Sequence, residues 1–235
     1  MFDLSGQSVL VVGGSSGIGR ATAQAAKALG AAVTIAARDP EKLAIVAAEI
    51  GVAGAVLDMT DNAAVEAFFA AAPVFDHIVV SAAATKSGPV RVLPLETARA
   101  AMESKFWGAY HIARSARIAP HGSLTLVTGY LSQRPSAGAT TQGAINAALE
   151  GLARGLALEL APVRVNAVSP GLVDTPVWSG LAPGAKAAMF AQAAARLPAR
   201  ITGQPEHVAT QVIALLLNPY MTGTTSFVDG GGLIA

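Results

Sequence analysis

The stretch Val9-Leu10-Val11-Val12-Gly13-Gly14-Ser15-Ser16-Gly17-Ile18-Gly19, running on into Arg20-Ala21-Thr22-Ala23, decides the fold. The apolar run has no polar alternation and reads as a strand buried on both faces. The glycines then permit a tight turn, and the alanine-rich continuation reads as a helix. A strand, glycine turn and helix in this order let a dinucleotide's pyrophosphate approach the backbone and rest at the helix N-terminus. Read without a ligand, the same residues are a tight strand-to-helix turn.

Working outward, short runs rich in Val, Ile and Leu alternate with longer alanine-rich segments. Strands are expected near Ser8 to Val12, Ala32 to Ala37, Gly54 to Leu57, His77 to Ser81, Leu124 to Thr128, Val163 to Val168 and Thr225 to Val228. Helices are expected near Gly17 to Leu29, Pro40 to Ile50, Asp61 to Ala71, Pro94 to Ala119, Gly138 to Leu160, Pro183 to Arg196 and Pro205 to Leu217. Non-alternating strands, each followed by a helix, predict an α/β, doubly wound Rossmann fold: a single seven-stranded parallel sheet with helices on both faces and its ligand at the carboxyl ends of the strands. No linker, repeat or charge block divides residues 1–235, so one domain is expected.

Composition narrows the function. The 235 residues are 52% hydrophobic and 13% charged, enough apolar content for a large core. A net charge of +1 and 5% aromatics give neither the basic footprint nor the stacking platforms of a nucleic-acid binder. With no cysteine there is no disulfide, thiolate nucleophile or cysteine metal site. His77, His111, His121 and His207 are scattered without ligand spacing, so no metal is expected. No signal peptide is visible and no apolar run reaches the ~18 residues of a membrane span, which points to a cytoplasmic protein without membrane association.

Four motifs occur in one order along nearly the whole chain: Gly13 to Gly19; Leu57-Asp58-Met59-Thr60; Arg164-Val165-Asn166-Ala167-Val168-Ser169-Pro170-Gly171; and Thr222-Gly223 with Val228-Asp229-Gly230-Gly231. Together they resemble the short-chain dehydrogenase/reductases. The resemblance implies NAD(H) or NADP(H), carbonyl reduction or alcohol oxidation of a small molecule, and a homodimer or homotetramer. Gly13, Gly17 and Gly19 match the family's turn glycines, around which Ser15, Ser16 and Ile18 offer hydroxyls and amides to phosphate. Where an acidic residue would accept the ribose hydroxyls of NAD, this chain has Ala37 followed by Arg38. A guanidinium there suits a 2′-phosphate, so NADP(H) is preferred over NAD(H); otherwise Arg38 is a solvated charge opening a helix. Asp58 and Met59 match the family's adenine contacts, although Asp58 could equally cap the next helix. Ser81 and Ala82 stand in the family's Asn-Asn-Ala-Gly segment. Pro170, Gly171, Val173 and Thr175 match the loop over the nicotinamide amide.

The resemblance breaks at the reacting end. The family places a serine thirteen residues before a tyrosine, with a lysine four later on the same helix face. These positions fall on Gly129, Gln142 and Asn146, and the family's helix asparagine falls on Lys105. Gln142 can hydrogen-bond a carbonyl but has no proton to release near neutral pH, Gly129 has no side chain and Asn146 no charge. Three explanations stay open. In the first the catalytic groups have moved: Lys105 and Asn146 have exchanged places across one pocket, and Tyr130 brings a phenol whose pKa Lys105 depresses. In the second the protein binds NADP(H) as a sensor or partner subunit without turnover. In the third Gln142 polarises an activated substrate and water supplies the proton. The segment 176–201, with Trp178, Met189 and Phe190, holds the place of a substrate lid. Its apolar side chains fit a hydrophobic substrate, core packing or an oligomer contact.

Overall fold

In a computed structural model, which describes residues 3–235, Val9 and Val11 of β1 (Ser8–Val12) face one side of the sheet and Leu10 and Val12 the other, and all four are buried. The strand therefore needs helices on both faces. The chain supplies them as α1 (Gly17–Ala28), β2 (Ala32–Ala37), α2 (Pro40–Ile50), β3 (Ala53–Val56), α3 (Asn62–Ala71) and β4 (Phe75–Val80). There follow α4 (Leu95–Met102), one π-helical turn (Glu103–Trp107), α5 (Gly108–Ser115), β5 (Ile118–Val127), α6 (Thr140–Glu159), β6 (Arg164–Pro170), α7 (Pro183–Arg196), α8 (Pro205–Leu217) and β7 (Thr225–Val228).

The seven strands are parallel in the order β3-β2-β1-β4-β5-β6-β7, the doubly wound arrangement expected from the sequence. The order reverses between β1 and β4, which opens a crevice at their carboxyl ends. One core joins Val9, Val11, Ile35 and Val79 to Leu43 and Val46 of α2 and Val208, Val212 and Leu215 of α8. The other joins Leu10, Val12, Ile78, Leu124 and Leu126 to Phe69 of α3, Ile112 of α5 and Ile145 and Leu149 of α6. Local chemistry sets the ends of α2: Pro40 opens it, the Asp39 side chain accepts from Lys42 N at 3.1 Å, and Gly51 at φ 72° closes it.

The sequence and structure differ most before β5. A helix to Ala119 was expected, but α5 stops at Ser115 and β5 begins at Ile118. Ile118 pairs with Phe75, which is 4% exposed, so strand pairing overrides helix propensity. The strand then bulges through His121 at φ 68° before regaining register at Ser123 opposite His77. Within the helical segment, the π-turn carries Ser104 and Lys105. Such turns interrupt the regular ladder and recur at functional sites.

Candidate functional site

A cleft of about 1010 Å³ lies over the carboxyl ends of β1, β2 and β4, where the strand order reverses. Gly13, at φ 87°, permits its floor: a Cβ there would lie 2.5 Å from Ala82 N. A Cβ on Gly19 would lie 2.2 Å from Gly13 O, so α1 can approach the turn only as glycine. Ser16, the N-cap of α1, is extended and makes no side-chain capping bond, and no acid stands in the first turn. The leading amides of α1 thus face the cleft beside Ser15 and Ser16 as donors suited to phosphate.

Of the residues assigned to a cofactor from sequence, Gly13, Ser15, Ser16, Gly17, Ile18, Arg38, Asp58, Met59, Ser81, Ala82, Pro170 and Thr175 line the cleft. Gly19, Gly171 and Val173 do not; Gly19 packs on the turn, Gly171 against Asp229, and Val173 is buried with its carbonyl accepting from Trp178 Nε1 at 3.0 Å. Arg38 is exposed at one end of the cleft, with Lys42 nearby on the lining. Asp58 does not cap α3. Its Oδ1 accepts from Thr60 N at 2.9 Å and Thr60 Oγ1 at 2.8 Å, while Asp61 makes the cap by accepting from Ala64 N at 3.1 Å. Met59 is wedged in place: His111 Nδ1 donates to its carbonyl at 3.0 Å, and a Cβ on Gly108 would come within 2.8 Å of its side chain.

At the other end of the cleft, Lys105 Nζ donates to Thr128 O and to Asn146 Oδ1, both at 2.7 Å. Lys105 lines the cleft and Asn146 stands behind it, 4% exposed. Burial lowers the Lys105 pKa from 10.5 to about 8, against an opposing pull from the Glu150 carboxylate. Glu150 is itself 3% exposed and accepts from Ser132 Oγ at 2.5 Å. Gly129 matches its neighbour, since a Cβ there would lie 2.7 Å from Asn146 Nδ2. Gln142 reaches the site indirectly, its Nε2 donating at 2.9 Å to Thr85 Oγ1, which lines the cleft.

Tyr130 stands elsewhere. It lines a second cavity with Leu131, Arg134 and Leu172, not the cleft that Lys105 lines, because the turn through Tyr130–Ser132 carries its ring toward Gly232. The expected pairing of Lys105 with the Tyr130 phenol is therefore not formed. Residues of the cleft that the sequence did not single out include Lys42, Lys86, Thr128, Thr85, and Ser104, whose Oγ accepts from Ala84 N at 2.7 Å and ties the loop after β4 to the π-turn. None of these stands in a sequence motif, though Ser104 adjoins Lys105. In the expected lid, Phe190 is 8% exposed and packs edge-on against Trp178 at 6.4 Å, and Lys186 pairs with Asp174 at 2.6 Å. Among the described residues there is no group of three or more potential metal ligands, and no helix is long and apolar enough to cross a membrane.

A family model described as enoyl-(acyl carrier protein) reductase matches residues 12–232. A short-chain dehydrogenase/reductase of Stachybotrys chlorohalonatus is 30% identical over 253 residues, covering 98% of each chain. A small-chain dehydrogenase solved in complex with NADPH is 33% identical, with a TM-score of 0.84 over 97% of this chain and 99% of that one. An NADPH-bound short chain oxidoreductase from Pseudomonas aeruginosa PAO1, described as containing an atypical catalytic center, is 28% identical, with a TM-score of 0.89 and 98% of each chain covered.

Proposed function

This chain belongs to the short-chain dehydrogenase/reductase family, and on that premise we propose that it is an NADP(H)-dependent oxidoreductase interconverting carbonyls and alcohols, with the proton carried by groups displaced from the family's usual positions. The observation that carries this reading is the Lys105 ammonium, held at the cleft wall by Asn146 Oδ1 and Thr128 O. NADP(H), when bound, supplies or accepts the hydride. The NADPH complexes among the related structures support that choice of cofactor, as does a basic residue, Arg38, directly after β2. Ser15, Ser16 and the leading amides of α1 would hold its phosphates, Arg38 the 2′-phosphate, Asp58 and Met59 the adenine end, and Pro170 and Thr175 the nicotinamide end.

Lys105 Nζ gives its proton to the substrate oxygen as the carbonyl is reduced and takes it back in the reverse direction. With a pKa of about 8, it is mostly charged at neutral pH yet close enough to ambient pH to exchange the proton. Asn146 and Thr128 aim the ammonium, in place of a lysine aiming a tyrosine. Gln142 occupies a lone pair of the Thr85 hydroxyl, leaving that hydroxyl's hydrogen to be donated into the cleft. Tyr130 takes no part in this proton step.

The placement of Tyr130 in the other cavity favours a second reading, an NADP(H)-binding subunit without turnover, since the cleft wall then holds no phenol. One cuvette separates the two. A fluorescence titration with NADPH and NADH should give micromolar NADPH binding, and a panel of aldehydes and ketones should then produce saturable NADPH oxidation. Binding without oxidation across the panel favours the second reading, and failure to bind either nucleotide overturns both.

A further inference from the structure

A second cavity, of about 510 Å³, lies behind the loops that close the cleft. The two spaces share those loops: Thr128 and Pro170 face the cleft, whereas Tyr130 and Leu172, two residues further along each connection, face the cavity. Its wall is largely apolar, from Leu131, Leu172, Ala193 and Leu197, with the Tyr130 ring packed over Gly232 so closely that a Cβ there would meet it at 3.2 Å. At its exposed rim stand Arg134 and Arg196, brought together from the β5–α6 connection and the last turn of α7.

The two guanidiniums on this rim carry no ion-pair partner among the described residues. Among the described residues, neither arginine lies within ion-pair distance of a carboxylate, the ion pairs being Arg20–Glu49 and Lys186–Asp174. Asp229 lines the same cavity as an anion, but Oδ1 accepts from Gly231 N at 3.0 Å and Oδ2 from Leu233 N at 2.8 Å, which holds its carboxylate on the turn after β7 and not on either arginine. Arg134 is anchored by Nη1 donating to Gly232 O at 2.6 Å, which fixes its guanidinium at the rim. A fixed guanidinium and a second, freely solvated one over an apolar pocket are complementary to a planar anion carrying an apolar body.

We propose that this cavity binds an amphiphilic carboxylate, its apolar body against Tyr130, Leu131, Leu172 and Leu197 and its anionic head between Arg134 and Arg196. The apolar contacts supply affinity, and the arginines select the anion and weaken with salt because they are exposed. Turnover in the cleft has no bearing on occupancy of this cavity.

Calorimetric titration of the full chain with octanoate, octanamide and acetate tests this, without and with saturating NADPH. Octanoate should bind roughly tenfold more tightly than octanamide, the scale of one charged hydrogen bond, and acetate should give no measurable binding because it lacks the body. Arg196→Gln should bring octanoate down to the octanamide affinity, Arg196→Lys should restore part of the difference, and Arg134→Gln should act in the same direction. Octanoate should still bind when NADPH fills the cleft. The proposal is overturned by equal affinities for octanoate and octanamide, by binding of neither, by a carboxylate preference that survives both glutamine substitutions, or by loss of octanoate binding on adding NADPH. Failure of the chain to bind NADPH would appear in the separate nucleotide titration and would count against the cofactor reading alone.

Discussion

Replacing Lys105 with Met should remove proton delivery while leaving the fold close to its original stability. Burial lowers the lysine's pKa from 10.5 to about 8, so below that pH the folded chain holds a charge that it disfavours and that methionine lacks. Against this gain, the substitution strands Thr128 O and Asn146 Oδ1, each an acceptor for Nζ at 2.7 Å, and a buried acceptor left open costs about 1–3 kcal/mol. These opposed effects should leave the change in unfolding free energy within ~2 kcal/mol. Activity has no such offset, and loss of a general acid typically costs ~10²- to 10⁴-fold. The assay is kcat/KM for NADPH-driven carbonyl reduction against pH, because that ratio reports the free enzyme. In the wild type it should be flat below about 8 and fall as Lys105 deprotonates above it, with the alcohol-oxidising direction showing the opposite slope. Stability carries the same signature: the unfolded chain binds the proton more strongly between about 8 and 10.5, so wild-type stability rises with pH across that window and the variant's does not. A Lys105→Met enzyme with turnover within about twofold of wild type, or one keeping the alkaline limb at the same pH, would refute the assignment.

Arg38→Ala should weaken NADPH binding by ~10- to 100-fold and leave NADH almost unchanged, measured by fluorescence titration of both nucleotides; an equal loss for both would remove Arg38 from 2′-phosphate recognition. Gly129→Ser should lower stability by about 1–3 kcal/mol in urea unfolding and impair catalysis, because its Cβ would stand 2.7 Å from Asn146 Nδ2. His77, buried between Ser123 Oγ at 2.8 Å and Gln7 Oε1 at 2.7 Å, has its pKa lowered from 6.5 to about 4 by burial and, secondarily, by Arg164. The unfolded chain takes up that proton first, so wild-type stability should fall by roughly 3 kcal/mol as pH drops through this window, and His77→Gln should flatten the profile.

The sheet was legible because its signals are local. The apolar runs that became β1, β2 and β7 need only period and composition to be read, and Gly13 to Gly19 shows its purpose in spacing alone. The start of β5 was not legible, because Ile118 becomes a strand residue only by pairing with Phe75, more than forty positions earlier, and nothing near it marks the bulge at His121. At the site, counting along the chain put Lys105 and Asn146 in one pocket, and their side chains meet. Counting could not aim Tyr130, whose direction is set by the turn after Gly129 and by Gly232 at the far end of the chain. Thr85 was invisible for a related reason: it reaches Gln142 through an irregular loop with no periodicity to read.

The interlock of Gly129, Asn146 and Lys105 also limits how this chain could change by mutation. A hydroxyl side chain restored at 129 runs into the amide of Asn146, and a lysine restored at 146 sets a second ammonium beside the first, where like charges disfavour each other. Each of these two single steps back toward the family's arrangement is therefore opposed by a neighbouring residue already in place, Asn146 in the first case and Lys105 in the second. Laboratory selection that changes one codon at a time should stall at this site, whereas a library varying positions 105, 129, 142 and 146 at once can cross between the two arrangements.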